Sequence, residues 1–201
     1  MWTWILDNAA ALSVALNAAM LLVWLAYLQL FLTSIRRSNR AVIHIDMAAG
    51  QNEDARCIVT NMGADTVYIL GVKVDLDCDG DAREALVTDV LEEDGPLGGD
   101  FRERTNQGPL AGGEAMDIGS FHNIVDRAAM RMGEDISLTT CHSVEITVVV
   151  AAQQAHRLLG GHKRYDITRE NGALRFRSED ILTRQITSGR RRRQLARDIA
   201  C

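Results

Sequence analysis

The chain has 201 residues, 47 % of them hydrophobic, and a formal net charge of −5 at pH 7. The length that remains after the first apolar segment suffices for one hydrophobic core and excludes two. The cysteines show no close pairing pattern, so we expect reduced thiols, as in cytosolic proteins, rather than a disulfide framework. They are Cys57, Cys78, Cys141 and Cys201.

An uncharged segment from Asn8 to Ile35 predicts a transmembrane helix over residues 9–35. It contains neither Gly nor Pro and exceeds the ~20 apolar residues that a helix needs to cross a bilayer. The segment is too long for a secretory signal peptide, and basic residues follow it instead of preceding it, so we expect an uncleaved anchor. Aromatic residues towards both ends suit the two membrane interfaces: Trp2, Trp4, Trp24 and Tyr27.

The basic residues next to this segment predict its orientation. Arg36, Arg37 and Arg40 follow it, whereas Asp7 is the only charged side chain before it. Because Lys and Arg mark the cytoplasmic end of a span, we expect a short extracytoplasmic N-terminus (residues 1–8) and a cytoplasmic C-terminal domain. The chain would then be a single-pass protein of a bacterial inner (plasma) membrane. A periplasmic domain is the alternative.

One face of the predicted span is suited to contact with another helix. Ala11, Ala15 and Ala19 are spaced by four residues, which lets a second helix approach closely. Ser13 and Asn17 form another pair at this spacing, and an amide in hydrocarbon is costly without a partner. We therefore predict packing against another transmembrane helix, from a second copy or a larger complex. Alternatively, Ala is present as a helix former and Asn17 bonds to its own backbone.

The domain over residues 36–187 is predicted to be mainly β. The expected strands are 42–46, 56–61, 66–76, 85–91 and 144–152, with weaker candidates at 164–168, 174–177 and 181–186. Turn residues at 61–65 and at Asp79-Gly80 separate three of them, as hairpins require.

Alternating hydrophobicity predicts which side chains the strands bury. In the third strand one face is expected to hold Tyr68, Leu70, Val72, Val74 and Leu76, opposite Lys73 and Asp75. In the strand at 144–152 the apolar face is expected to hold Val144, Ile146, Val148 and Val150.

One amphipathic helix is predicted between the strands. Its apolar stripe follows helical spacing: Phe121, Ile124, Val125, Ala128, Ala129 and Met132. Ser120 is placed to cap the N-terminus, and Gly133 is placed to end the helix in a left-handed conformation. About eight short strands with one inserted helix indicate a two-sheet β-sandwich.

Two segments resemble phrases that are common in immunoglobulin-like sandwiches. They are Cys-Ile-Val-Thr-Asn-Met-Gly-Ala-Asp-Thr-Val-Tyr-Ile at 57–69 and Gly-Pro-Leu-Ala-Gly-Gly-Glu at 108–114. The resemblance spans about residues 41–155 and implies an immunoglobulin-like β-sandwich behind a single-span anchor. No Trp follows Trp24, so the Cys…Trp…Cys spacing of true immunoglobulin domains is absent. Such sandwiches host many functions, so the resemblance implies a fold only.

Charge is divided unevenly along the chain. Residues 46–135 contain 20 acidic and 7 basic residues, whereas residues 184–197 contain six Arg and no acid. Residues 188–201 are predicted to form a basic C-terminal tail that binds an anionic surface, either lipid headgroups or an acidic protein. Nucleic acid is a less favoured partner, and a solvated tail is the alternative. The arginines proposed for this contact are Arg190, Arg191, Arg192, Arg193 and Arg197.

Few patterns in the chain indicate chemistry. Asp75, Asp77, Asp79 and Gly80 reproduce the first half of a calcium-binding EF-hand loop, but Leu86 stands where the bidentate Glu belongs. Histidines 44, 122, 142, 156 and 162 have no metal-ligand spacing. The chain has no phosphate-binding loop, nucleophile elbow or dinucleotide fingerprint. We expect no catalytic residues, no metal and no cofactor.

These features favour a non-enzymatic, membrane-anchored binding or scaffold protein, an accessory subunit of a membrane complex. The alternative is a membrane-tethered adaptor that recruits a soluble protein or nucleic acid through the arginine-rich tail. A hydrolase or a calcium-binding module is less favoured.

Overall fold

The computed structural model describes residues 8–38, 41–48, 50, 52, 54–78, 80–88, 105–133, 136–152, 157–170 and 172–200. The chain divides into two compact units, Met1–Arg40 and Ala41–Cys201. The described residues are mainly β, and their strands form two antiparallel sheets. The predicted interface residues Trp2, Trp4 and Arg40 lie outside the described residues, as do the side chains of Arg36 and Arg37.

The first unit contains helix α1 (Ala9–Ser38). Its 26-residue segment Ala9–Ser34 has a mean hydropathy of 2.0, and none of its side chains is buried. At 1.5 Å per residue the segment is about 39 Å long, more than the ~30 Å hydrocarbon core of a bilayer. The described residues therefore contain one helix that is long and apolar enough to span a membrane. Packing of the Ala11, Ala15 and Ala19 face on another helix stays a prediction.

The second unit contains ten strands, two α-helices and one short 3₁₀ helix (Leu138–Thr140) among its described residues. The strands are β1 (Ile43–Ala48), β2 (Arg56–Asn61), β3 (Val67–Cys78), β4 (Asp81–Val87), β5 (Gly108–Leu110), β6 (Ala115–Ser120), β7 (Cys141–Ala152), β8 (Arg157–Glu170), β9 (Ala173–Ser178) and β10 (Arg184–Gln185). The α-helices are α2 (Phe121–Met132) and α3 (Gly189–Ala200). The predicted strand at 56–61 is confirmed to the residue.

The strands form a small sheet and a large sheet. The small sheet has the order β1-β2-β6, and the large sheet has the order β10-β8-β7-β3-β4, with β5 paired to β3 and β9 paired to β8. Both sheets and α2 contribute to one hydrophobic core, in which Phe121 stacks on Phe176 at 4.5 Å and meets Tyr165 edge-on at 4.8 Å. The mainly β class is thus confirmed, whereas the immunoglobulin-like arrangement is not.

Helix α2 follows the sequence prediction in its bounds and both caps. The Ser120 side chain accepts a hydrogen bond from the Asn123 backbone N–H, and Gly133 adopts the left-handed conformation with φ 67°. Phe121 and Ile124 are among its buried side chains. Local capping chemistry and burial of the apolar stripe therefore select the same helix.

The predicted face of β3 is wrong in its first half. Pairing with β7 shifts register between Ile69 and Gly71, which is a β-bulge. Because one extra residue reverses the side-chain alternation, Ile69 is buried while Tyr68 is 47 % exposed. Leu70 packs instead with the apolar cluster on the opposite side of the large sheet. The predicted burial of Val144, Ile146, Val148 and Val150 on β7 is confirmed.

The turn at 61–65 does not close a hairpin as predicted. It carries the chain from β2 in the small sheet to β3 in the large sheet. Fully buried Asn61 fixes this crossing: its Nδ2 donates to the carbonyls of Asp65 (2.8 Å) and Leu110 (3.0 Å), and its Oδ1 accepts from the Gly63 N–H (2.9 Å). The hairpin around Gly80, which joins β3 to β4, is confirmed.

The expectation of reduced, unpaired cysteines is wrong for two of them. Cys78 on β3 and Cys141 on β7 form a disulfide across adjacent strands, 63 residues apart in sequence. The β3–β7 pairing brings them opposite each other. Cys57 is a buried free thiol whose pKa burial raises far above its usual range. Cys201 lies outside the described residues.

Side chains, not backbone, connect β1 to the large sheet. The Gln185 amide accepts from the Ile43 N–H (3.1 Å) and donates to the Ile43 carbonyl (2.6 Å). The Thr183 hydroxyl bonds to the Ile45 N–H (2.7 Å) and carbonyl (3.2 Å) in the same way. Gly161 on β8 allows this approach, since a Cβ there would lie 2.6 Å from Thr183 Cγ2. The backbone N–H and carbonyl groups of Ile43 and Ile45, on the edge of β1 that faces away from β2, are thereby hydrogen-bonded.

Candidate functional site: the basic helix and its seat

The segment predicted as a basic tail forms helix α3, which packs on the large sheet. We call the part of the sheet that contacts α3 its seat. Leu195 is 5 % exposed and packs with Val149 and Ile186, together with the partly buried Leu70 and Ile199. The predicted basic tail is therefore a folded helix over Gly189–Ala200, and the alternative of a solvated tail is wrong for these residues. The bulge in β3 contributes to this seat, because it turns Leu70 towards α3 and away from the main core.

The arginines of α3 divide between two faces. Arg191 and Leu195 point to the sheet, in helical register with the half-buried Asp198. Arg192 is half-buried and donates to the Thr187 carbonyl at the start of the helix. Arg190, Arg193 and Arg197 are exposed and share the outward face. We call these three the basic stripe.

Residues of the basic stripe take part in no hydrogen bond or ion pair within the described part of the chain. The five arginines proposed for an anionic surface thus fall into two groups, three that face solvent and two that hold the helix in place. Arg191 and Arg192 make contacts within the domain and help to hold α3 in place, although 44 % of the Arg191 side chain is exposed.

Arg191 joins a compact group with His162 on β8 and Glu145 on β7. Its Nη2 lies 2.8 Å from Glu145 Oε1, and its Nη1 lies 3.2 Å from His162 Nε2. His162 Nδ1 lies 3.0 Å from the same Glu145 oxygen. A guanidinium has only donors, so Nε2 must accept, and the imidazole is neutral with its proton on Nδ1. Burial lowers the pKa of His162, as do Arg191 and Arg184, against the opposing effect of Glu145.

A second charged group lies beneath the C-terminal half of α3. Lys73 Nζ lies 2.5 Å from Glu84 Oε2, 3.1 Å from Asp75 Oδ1 and 3.7 Å from Asp198 Oδ2 of the helix. Burial lowers the pKa of Lys73, but Glu84 and Asp75 outweigh it and the net pKa is raised. Burial raises the pKa of Asp75 despite the neighbouring ammonium. Lys73 therefore connects α3 to the sheet through its carboxylate partners.

Helix α3 does not fill its seat. An open cleft of about 710 Å³ remains between the N-terminal half of the helix and the sheet, and a second of about 310 Å³ lies beside Ile199. Ser143 (4 % exposed) and Thr147 (2 % exposed) line the larger cleft, and within the described residues neither hydroxyl has a hydrogen-bond partner. The contact of α3 with the domain thus combines a small apolar cluster around Leu195 with the charged groups around Arg191 and Lys73.

The half EF-hand has no metal-binding geometry in the described residues. Asp75 pairs with Lys73, and Asp77 lies 3.5 Å from Arg164. Asp79 is outside the described residues, and no group of three or more His, Cys, Asp or Glu side chains within them could hold a metal ion. The pairing of strand carboxylates with cations on β3 and β8 accounts for Asp75 and Asp77.

Sequence reasoning missed His162, Glu145 and Lys73, which position the basic helix. The distance between them along the chain exceeds any local motif, and their convergence depends on the β3–β7–β8 register. The spacing of Arg191, Leu195 and Ile199 by four residues was the available signal for a seated helix.

The fold and this site define a mainly β domain that follows an apolar N-terminal helix and holds a basic helix on its large sheet. No protein-family model matches the chain, and neither a curated protein nor a solved structure matches it.

Proposed function

We propose that this chain is a non-enzymatic, membrane-anchored binding protein whose domain presents α3 to an anionic phospholipid surface. The observation that carries the proposal is the basic stripe: Arg190, Arg193 and Arg197 are exposed on a helix whose other face is seated, and no partner for them is found among the described residues. Helical rise separates them by about 4.5 and 6 Å along the axis. A surface of many anionic headgroups can engage all three at once.

The expected strength of this contact is modest. Each basic residue near an anionic surface contributes about 1 kcal/mol, so the stripe contributes about 3 kcal/mol. A membrane anchor would make this weak contact more effective, because binding of the stripe to lipid would then be an intramolecular step with a high effective concentration. Only two residues separate Ser38 of α1 from Ala41 of the domain in the sequence, so a spanning α1 would tether the domain to the membrane that the stripe is proposed to bind.

The leading role for such a protein is that of an accessory or scaffold subunit in a membrane complex, with α1 packed on partner helices through Ala11, Ala15 and Ala19. The second candidate is an adaptor that recruits a soluble acidic protein or a nucleic acid. The same stripe supports it, since three unpaired guanidinium groups also bind carboxylates and phosphates.

Two features of the chain favour opposite orientations of the domain relative to the membrane. Arg36 and Arg37, directly after the apolar segment, favour a cytoplasmic domain with the N-terminus outside, and we propose this orientation. The Cys78–Cys141 disulfide favours the opposite side, because such bonds persist mainly in oxidising compartments. Alkylation of Cys78 and Cys141 in cells that are denatured without a reductant distinguishes the two orientations. Alkylated cysteines would indicate free thiols and a cytoplasmic domain, whereas cysteines that resist alkylation would indicate a disulfide and a domain outside the cytoplasm.

Vesicle binding tests the proposed lipid contact. Residues 41–201, a compact unit with its own core, should sediment with vesicles that contain anionic phospholipid and not with purely zwitterionic vesicles. Salt should weaken the binding, since the Debye length falls to ~8 Å at 0.15 M. The Arg190→Gln/Arg193→Gln/Arg197→Gln variant should lose it.

A matched control removes the same charge elsewhere. Arg169, Arg175 and Arg177 are exposed on β8 and β9, and replacing all three by Gln should leave most of the binding. Equal loss in both triple variants would show a response to net charge and contradict a contact made by the stripe. Binding of an acidic peptide or an oligonucleotide in preference to vesicles would favour the adaptor.

A further inference from the structure

An ionisable group, His162, lies beside the ion pair that joins α3 to the large sheet. Most of the apolar attachment comes from Leu195 and Ile199, and open clefts flank the helix. Polar contacts add to this apolar attachment. The shortest of these in the cluster around His162 is the 2.8 Å ion pair between Arg191 and Glu145, and His162 bonds to both of its members.

We propose that α3 is a pH-sensitive latch, which stays on the large sheet while His162 is neutral and is released when His162 is protonated. In the seated helix, His162 Nε2 accepts from the Arg191 guanidinium at 3.2 Å. A proton on Nε2 would put two donors, both cationic, against each other. The imidazolium would keep Glu145 as its partner and would repel Arg191 from it.

Burial is the largest cause that lowers the pKa of His162, and among the charged groups that face it Glu145 raises this pKa while two arginines lower it. Arg191 faces it from α3, Arg184 from β10 and Glu145 from β7. The two arginines disfavour the imidazolium, whereas Glu145 favours it in the seated and the released state alike. Release removes Arg191 only, so the released state binds the proton more tightly. The seating is thus complete at neutral pH and is lost as the pH falls below the ordinary pKa of histidine, near 6.5.

This inference rests on the proposed function only for what the released helix does. Release would expose Leu195 and Ile199 on a helix that carries five arginines, which is the composition of a helix that lies in a membrane interface. An anionic surface also attracts protons through its negative potential. The surface that the basic stripe binds would therefore itself favour release, and α3 would pass from the sheet to the lipid.

Hydrogen exchange of the full chain in phosphatidylcholine nanodiscs tests the latch without an anionic lipid. Amides of α3 should exchange about tenfold faster at about pH 5.5 than at about pH 7.5 after correction for intrinsic rates, as expected for one lost charge-assisted hydrogen bond. Helix α2 has the same length of 12 residues and serves as the internal reference. Its amides should not respond.

Three variants decide the interpretation. His162→Gln can donate and accept but not titrate, so its α3 amides should stay protected at both pH values. Arg191→Gln should expose α3 already at neutral pH. His122→Gln changes an exposed histidine on α2, 3.2 Å from Asp126, and should keep the wild-type response. Unchanged protection of wild-type α3 on acidification, or the same loss in His162→Gln, would overturn the latch. Vesicle binding is measured separately, so failure of the lipid contact leaves this result interpretable.

Discussion

Reduction of the Cys78–Cys141 disulfide should destabilise the domain by about 4 kcal/mol. The bond closes a loop of 63 residues that includes β4, β5, β6 and α2. In the chain-entropy account, loops of ~15 and ~100 residues give about 3 and 4.7 kcal/mol, and this loop lies between them. Domains are stable by only ~5–15 kcal/mol, so the loss is a large part of the total.

Urea denaturation of residues 41–201 with and without a reductant measures this effect. The domain contains no Trp, so far-ultraviolet circular dichroism is the suitable signal. With an m-value of about 2 kcal/mol/M, reduction should lower the midpoint by about 2 M. The Cys78→Ser/Cys141→Ser variant should show the lower midpoint and no further response to reductant. A midpoint that reduction does not move would refute the cross-strand bond as a stabilising element.

Other substitutions test separate parts of the structure. Ser120→Ala removes the α2 cap and should cost about 1 kcal/mol in the same urea assay; an unchanged midpoint would show that the cap is dispensable. Gly161→Ala puts a Cβ 2.6 Å from Thr183 and should cost about 1–3 kcal/mol there, unless β10 can shift without loss. Leu195→Ala should cost about 2 kcal/mol and raise hydrogen exchange in α3 alone; a loss of protection throughout the domain would contradict local seating. In α1, Ala15→Leu should weaken self-association or complex recovery in mild detergent, and an unaffected complex would make that face lipid-exposed.

Sequence patterns predicted the parts of the fold that depend on neighbouring residues. The bounds of α2 follow from one apolar stripe with a cap at each end, and the buried face of β7 follows from strict alternation. In β3 the same alternation failed at Leu70, because a bulge there depends on pairing with a strand about 80 residues further on. Alternation of apolar and polar residues along a strand does not show where a bulge adds an extra residue and reverses the buried face.

The candidate site was predictable only as a concentration of charge. Four consecutive arginines indicated an anionic partner, but they did not show which of them face solvent, because that depends on the sheet beneath α3. Leu195 and Ile199 are too few to give a strong amphipathic signal among six charged residues. The disulfide escaped detection for a similar reason, since Cys78 and Cys141 become neighbours only through the register of β3 and β7.

The side-chain bonds that satisfy β1 determine how copies of this protein behave beside one another. An unpaired strand edge is a template for pairing with another chain, and molecules anchored in a bilayer, as we propose for this protein, would meet at high density in its plane. Gln185 and Thr183 occupy the backbone groups of Ile43 and Ile45 that a neighbouring copy would otherwise use. Loss of the segment from Thr183 onward would therefore remove more than the basic helix. It would leave the first strand after α1 open to sheet formation between molecules.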